Sequence, residues 1–178
     1  MENILFVDDD RNILDSFERS FKKEGFQIFT ALSGEEGLKV VHENEIALVV
    51  SDYSMPKMNG IEFLNRVKEL SPSTIRIILT GCTDLKAAIE AINQGEVYRF
   101  INKPINKDEL KLTINQSLAY RELCLKNKQL STIVKQQSSV LSELEKKHPG
   151  ITDIKETADG AIIIDEESIQ DLSMDDFV

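Results

Sequence analysis

Cysteine is scarce in this chain. Cys82 and Cys124 are the only two among 178 residues, and they stand alone with no metal-ligand spacing. A disulfide framework and a thiolate metal site are thereby excluded, leaving two reduced thiols. Long apolar runs are missing too: no stretch reaches about 18 apolar residues, so no transmembrane helix is expected. The start, MENILFVDDD, turns acidic after a few apolar residues. A signal peptide begins basic and carries a longer apolar core, so the chain is read as cytoplasmic, without membrane contact. The two histidines, His42 and His148, lack companions. Neither is read as a metal ligand or a phosphoryl carrier. No Ser/His/Asp or Cys/His arrangement points to a hydrolase. No Walker-type glycine loop occurs, and Gly34 with Gly37 does not make one. Positive charge is also short. The net charge is −10, and residues 150–178 hold nine acids against one base, so the rest of the chain is near neutral. That balance opposes direct binding to nucleic acid, whose affinity rests on Lys and Arg against phosphates.

What is present suits one domain with additional material: 41% of residues are hydrophobic, enough for one ordinary core. Five short apolar runs recur at near-regular intervals: Ile4–Val7, Phe26–Phe29, Ile46–Val50, Ile75–Leu79 and Val97–Ile101. Helical period fills the gaps. Ile13, Leu14, Phe17 and Phe21 share one face; Leu85, Ala88, Ile89 and Ile92 share another; Ile61, Leu64 and Val67 repeat the pattern less fully. Ser33 ahead of Glu35 and Glu36 is a start signal, and Gly25 and Gly95 are stop signals. Continuous apolar strands alternating with helices predict a doubly wound, five-stranded parallel sheet of the flavodoxin type.

The pattern changes after residue 106. From Asn106 to Lys147 there is no proline or glycine, which allows one helix of about 40 residues, on the order of 60 Å long. A heptad can be laid from Leu123, with Leu123, Leu130, Gln137 and Leu144 in one core row and Ile133 and Val140 in the other. Lys126 and Gln137 interrupt that seam. Self-pairing as a homodimer through residues 123–147 is expected. His148-Pro149-Gly150 ends the helix. Asp159-Gly160, between two β-like runs, signals a small hairpin. The predicted division is 1–122 for the globular domain, 123–148 for the extended helix, and 149–178 for an acidic tail with the hairpin.

Ligand sites in open α/β sheets lie beyond the carboxyl ends of the strands. After the first run come Asp8, Asp9 and Asp10; after the third, Asp52; after the fourth, Thr80 and Gly81; after the fifth, Lys103 and Pro104. Several carboxylates brought together repel one another unless a cation joins them. A hard divalent ion with oxygen ligands, magnesium above all, resolves that conflict. Asp52 is then a candidate nucleophile, because a carboxylate can accept a phosphoryl group as an aspartyl phosphate. The Lys103 ammonium and the Thr80 hydroxyl can each contact a phosphoryl oxygen. Taken singly, an acidic loop is solvated surface, Phe100 is core and Lys103 is a surface lysine. Their joint register at the strand ends makes the case.

At these residues the chain resembles response regulator receiver domains of the two-component type. The matching stretches are LFVDDD (5–10), SDYSMPKMNG (51–60), ILTG (78–81) and FINKP (100–104), within about residues 1–122. The resemblance implies that Asp52 is phosphorylated by a histidine kinase or a phosphotransfer protein. It implies that Asp9 ligates magnesium directly, Asp8 through water, and Ser54 through its backbone carbonyl. It makes Thr80 and Phe100 the switch pair, and sets Lys103 on the phosphate across a cis bond to Pro104. The expected activity is limited to self-phosphorylation and slow self-dephosphorylation. The expected output runs from the fourth helix, fifth strand and fifth helix, through the long helix, to a downstream protein, with no DNA-binding output domain. Two other outputs stay open: a phosphate sink or relay that drains a kinase, and a regulatory subunit docking on a separate enzyme. GEVYRFINKP looks like the receivers that accompany cyclic-di-GMP enzymes, which suggests one such enzyme.

Overall fold

The computed structural model describes residues 2–22, 24–81, 97–149, 155–156 and 162–163. The helix expected around Leu85–Ile92, with Cys82 and Gly95, lies outside the described residues. Five strands form one parallel sheet in the order β2-β1-β3-β4-β5. They are β1 (Asn3–Val7), β2 (Gln27–Ala31), β3 (Leu48–Asp52), β4 (Ile75–Thr80) and β5 (Arg99–Asn102). The helices are α1 (Arg11–Phe21), α2 (Gly34–Glu43), α3 (Gly60–Leu70) and α4 (Lys107–Lys147). Three strands sit later than the apolar runs suggest. Hydrophobicity marks burial, whereas pairing continues onto polar residues such as Ser51, Asp52 and Asn102.

Side-chain alternation builds two cores from the same strands. Leu5, Val7, Val49 and Ile78 face the layer that holds Val41 of α2 and Phe63, Leu64 and Val67 of α3. Ile4, Phe6, Leu48, Val50, Ile77 and Leu79 face the other layer, with Leu14, Phe17 and Phe21 of α1 and Leu110 and Ile114 of α4. Phe6 stacks on Phe17 and Phe21 at 4.7 and 5.5 Å between centroids. Met55 and Met58 are buried in the first core. A sheet covered on both faces explains why its strands read as unbroken apolar runs.

Polar caps set the helix starts. Asp10 accepts from the Asn12 N–H and caps α1. Ser33 does the same for α2 through Glu36. Asn59 and Glu62 form a reciprocal capping box on α3. Asn106 accepts from the N–H groups of Asp108 and Glu109 at the head of α4. Gly25, at φ 79°, turns the chain after α1, a conformation in which a Cβ would be strained.

The chain divides into two units, Met1–Asn127 and Lys128–Val178. In the first, α4 buries Leu110, Thr113, Ile114, Ser117 and Arg121. Arg121 donates to the Ser73 carbonyl at 3.1 Å and reaches Glu2 and Glu45 at 3.6 and 3.5 Å. In the second, α4 continues to Lys147, and β6 (Lys155–Glu156) pairs antiparallel with β7 (Ile162–Ile163). Asp159 and Gly160, on which the hairpin expectation rests, fall outside the described residues. Among the described residues, no helix is long and apolar enough to cross a membrane.

Candidate functional site

The strand order reverses direction between β1 and β3, and the crevice opens at their carboxyl ends. Asp8 follows β1 directly, and Asp52 is the last residue of β3. Both are buried, at 1% and 6% exposure, whereas Asp9 is exposed. One carboxylate oxygen from each of Asp8, Asp9 and Asp52 lies within 4.8 Å of the others. The third acid of the run, Asp10, is turned away as the cap of α1, holding both the backbone and the side-chain N–H of Asn12.

Among the described residues, one cation enters the cluster. The Lys103 Nζ stands 2.8 Å from Asp52 Oδ1 and 3.6 Å from Asp8 Oδ2. The second distance is within ion-pair range but too long for a hydrogen bond, so buried Asp8 Oδ2 has no hydrogen-bond partner among the described residues. Asp8 Oδ1 accepts the Asp10 N–H at 2.9 Å. Burial holds the Asp8 carboxyl above its ordinary range; the Asp10 N–H and Lys103 offset this in part, while Asp52 and Asp9 add to it. Burial alone would lower Lys103, but its bond to Asp52 and the charges of Asp52 and Asp8 outweigh burial and raise it. The ammonium therefore stays charged. Three carboxylates against one ammonium leave a negative, oxygen-rich cleft with an unpartnered oxygen, which suits a hard divalent cation.

The backbone under these groups is tightly held. The Lys103 N–H donates to the Thr80 carbonyl at 2.8 Å, which ties β5 to β4 at the site, and the Lys103-Pro104 bond is cis. The Tyr53 N–H donates to Leu79, and the Tyr53 carbonyl accepts from Met55 and Gly60. Ser51 donates its hydroxyl to the Asp52 carbonyl. A Cβ on Gly60 would collide with that same carbonyl, so only glycine lets the start of α3 approach β3 so closely. The motif that contains Gly60 does not reveal this role, because the close approach exists only once α3 folds back.

Thr80 is fully buried, and its hydroxyl donates to the Gly81 carbonyl at 3.2 Å. Phe100 is half-buried and packs against the first core. Tyr98 precedes the first residue of β5, and its ring stacks on Tyr120 of α4 at 4.9 Å. Ser54 is exposed, two residues beyond Asp52. A groove of about 370 Å³ that sequence reasoning missed runs beside Lys103, lined by Ile13, Phe17, Pro104 and Ile105. Its residues come from two distant segments, so no local pattern could reveal it.

Known proteins resemble the chain over this region. The Escherichia coli transcriptional regulatory protein GlrR is 35% identical over 116 residues, covering 65% of this chain and 26% of that protein. The hydrogenase transcriptional regulatory protein HoxA of Cupriavidus necator is 31% identical, covering 65% and 24%. The chain thus spans about a quarter of the length of these curated relatives. Among solved structures, a response regulator receiver domain protein from Clostridium thermocellum matches with a TM-score of 0.66 at 33% identity, covering 70% of this chain and 99% of that one. A structure described as adenylate cyclase from Rhodopirellula baltica matches with a TM-score of 0.71 at 33% identity, covering 74% and 97%. The sequence model of the response regulator receiver domain matches residues 4–115, well over half of the chain, and the chain belongs to that family.

Proposed function

We propose that Asp52 accepts a phosphoryl group from a phosphohistidine, with Lys103, Thr80, Asp8 and Asp9 serving the transfer. The observation that carries this reading is the 2.8 Å contact of Lys103 with Asp52 Oδ1 beside two further carboxylates. Lys103 holds one carboxylate oxygen, so the other attacks phosphorus. The P–N bond breaks, and the departing imidazole nitrogen keeps the electron pair and takes up a proton. Lys103 then faces the new acyl phosphate and offsets its charge. Magnesium, held by Asp9, Asp52 and the Ser54 carbonyl with Asp8 through water, would supply the positive charge that phosphoryl transfer requires. The Ser54 carbonyl suits that part, since it accepts no backbone hydrogen bond among the described residues.

Thr80 and Phe100 provide the switch. The Thr80 hydroxyl exchanges its weak bond to Gly81 for a phosphoryl oxygen, and the half-buried Phe100 ring turns inward behind it. The groove of Ile13, Phe17, Pro104 and Ile105 gives a donor protein an apolar footing next to Lys103. The changed surface around β5 and α4 passes the signal to a downstream protein. Transcriptional regulators and an adenylate cyclase among the relatives leave a sink, a docking subunit and a longer regulator as separate outcomes for deletion and affinity-capture experiments.

The test is acyl-phosphate formation with a phosphorylated kinase and magnesium. The parent chain takes up a hydroxylamine-labile phosphate, and Asp52→Asn takes up none. Undiminished labelling of Asp52→Asn rejects the assignment.

A further inference from the structure

Beyond Arg121, α4 exposes large apolar side chains. Leu123, Leu130, Ile133, Val134, Val140, Leu141 and Leu144 are each 39–61% exposed. The two-row heptad read from the sequence used Ile133 and Val140 beside the leucines. Val134 and Leu141 are as open to water, so the stripe is three rows wide. Leu123, Leu130, Gln137 and Leu144 form its middle, and two different seams share that middle row.

The seam with Ile133 and Val140 would bury Lys126 and Lys147. Lys126 is paired at 2.6 Å with Glu122, with both side chains about two-thirds exposed. Drawing that ammonium into an apolar seam costs far more than burying an amide that finds a partner. The seam with Val134 and Leu141 takes in the amides Asn127 and Gln137, and its row reaches His148 only past the end of α4.

That second seam has a direction. Around a two-fold axis near residue 132, an antiparallel copy sets Leu123 against Leu141, Asn127 against Gln137 and Leu130 against Val134. Each layer then pairs like with like, and the two amides can donate to and accept from each other. Lys126 of the third row stays at the edge with Glu122, and at the centre of that row Ile133 meets Ile133 of the partner subunit. In a parallel pair it would lie beside Ser138 of the partner subunit. Charge agrees: residues 121–135 carry four bases and one acid, and residues 136–147 carry two of each. Antiparallel pairing sets each basic half against a neutral half and also opposes the helix dipoles. The stripe and its flanking stems offer on the order of 800 Å² per helix, the share each partner gives to a standard specific interface.

We propose that α4 pairs antiparallel with α4 of a second copy of this chain, with Asn127 of each facing Gln137 of the other. This names the partner of the output helix in the function proposed above and rests on that reading.

The experiment uses the full chain with Cys82 and Cys124 replaced by serine, and light scattering gives the mass of this cysteine-free parent. Leu130→Cys and Val134→Cys are made separately, one with a tag that adds mass, then oxidised mildly alone and after co-expression. The expected result is twice the chain mass and a disulfide dimer only between the two different variants. A second pair, Leu123→Cys with Leu141→Cys, should repeat that pattern if the first pair disturbs folding. Either variant cross-linking to itself means parallel pairing and overturns the proposal, and so does a monomer mass. Acyl phosphate on Asp52 is measured on the same preparations. A chain that labels without pairing loses only this inference; one that pairs without labelling loses only the phosphoacceptor reading.

Discussion

Replacing Gly60 with alanine tests how the Asp52 carboxylate is held. The added methyl group would fall on the backbone carbonyl oxygen of Asp52, with the Asp52 carbonyl carbon and the Tyr53 Cα both at 3.0 Å. These are backbone atoms, and the Tyr53 amide and carbonyl are fixed by bonds to Leu79 and Gly60. Relief must therefore come from moving β3 or the start of α3. Overpacking of this kind costs about 1–3 kcal/mol. Removing glycine from the first helical position returns at most about 1 kcal/mol of helix propensity. The net expectation is a loss of about 1–2 kcal/mol, a few degrees in Tm for a domain of this size. The effect on labelling should be larger. Asp52 must keep its 2.8 Å contact with Lys103, and a displacement of about 1 Å can cost on the order of 100-fold in rate. Acyl-phosphate formation and thermal melting are followed together. Gly34→Ala is the control, since the nearest atoms to its methyl group belong to the flexible Met58 side chain, with the sulfur at 2.8 Å. A Gly60→Ala chain that melts and labels like its parent would refute the reasoning.

Other consequences follow from the same contacts. Asp8→Asn removes one of three neighbouring carboxylates, one whose Oδ2 lacks a hydrogen bond. Without divalent cations the variant should melt at or above the parent temperature. The rise in Tm that magnesium gives the parent through linkage should shrink; an undiminished rise would remove Asp8 from the cation site. Arg121→Ala leaves the Ser73 carbonyl without its donor and uncovers the packing of the arginine stem. Glu2 and Glu45 are half or more exposed and add little. The expected loss is about 1–2 kcal/mol in chemical denaturation, with labelling of Asp52 unchanged. A large drop in labelling would show that Arg121 reaches the site through the helix.

The sheet was legible because burial on both faces writes itself into short apolar runs, and α1 and α3 because their buried residues keep a 3.6-residue period. Strand ends were less legible, since pairing carries on into polar residues such as Asp52 and Asn102. Asp8, Asp52, Thr80 and Lys103 could be gathered in advance because strand ends in an open α/β sheet converge on one edge. The turn of Asp10 away from the cluster could not, because neighbouring identical side chains differ only in direction. Capping by Asp10 depends on where α1 begins.

The amino-acid order by itself determined the element types, the parallel doubly wound architecture and the edge on which the reactive groups meet. Periodicity and chain polarity are local, and a right-handed βαβ connection leaves few ways to assemble them. Tertiary structure decided what depends on distances between remote segments: the Lys103 bond to Asp52, the unpartnered Asp8 oxygen, the contact that forbids a side chain at residue 60, and the groove beside Lys103. It also showed Val134 and Leu141 to be as exposed as Ile133 and Val140. A heptad pattern shows which residues can line a seam, but exposure and ion pairing in the folded chain show which of them remain free to do so.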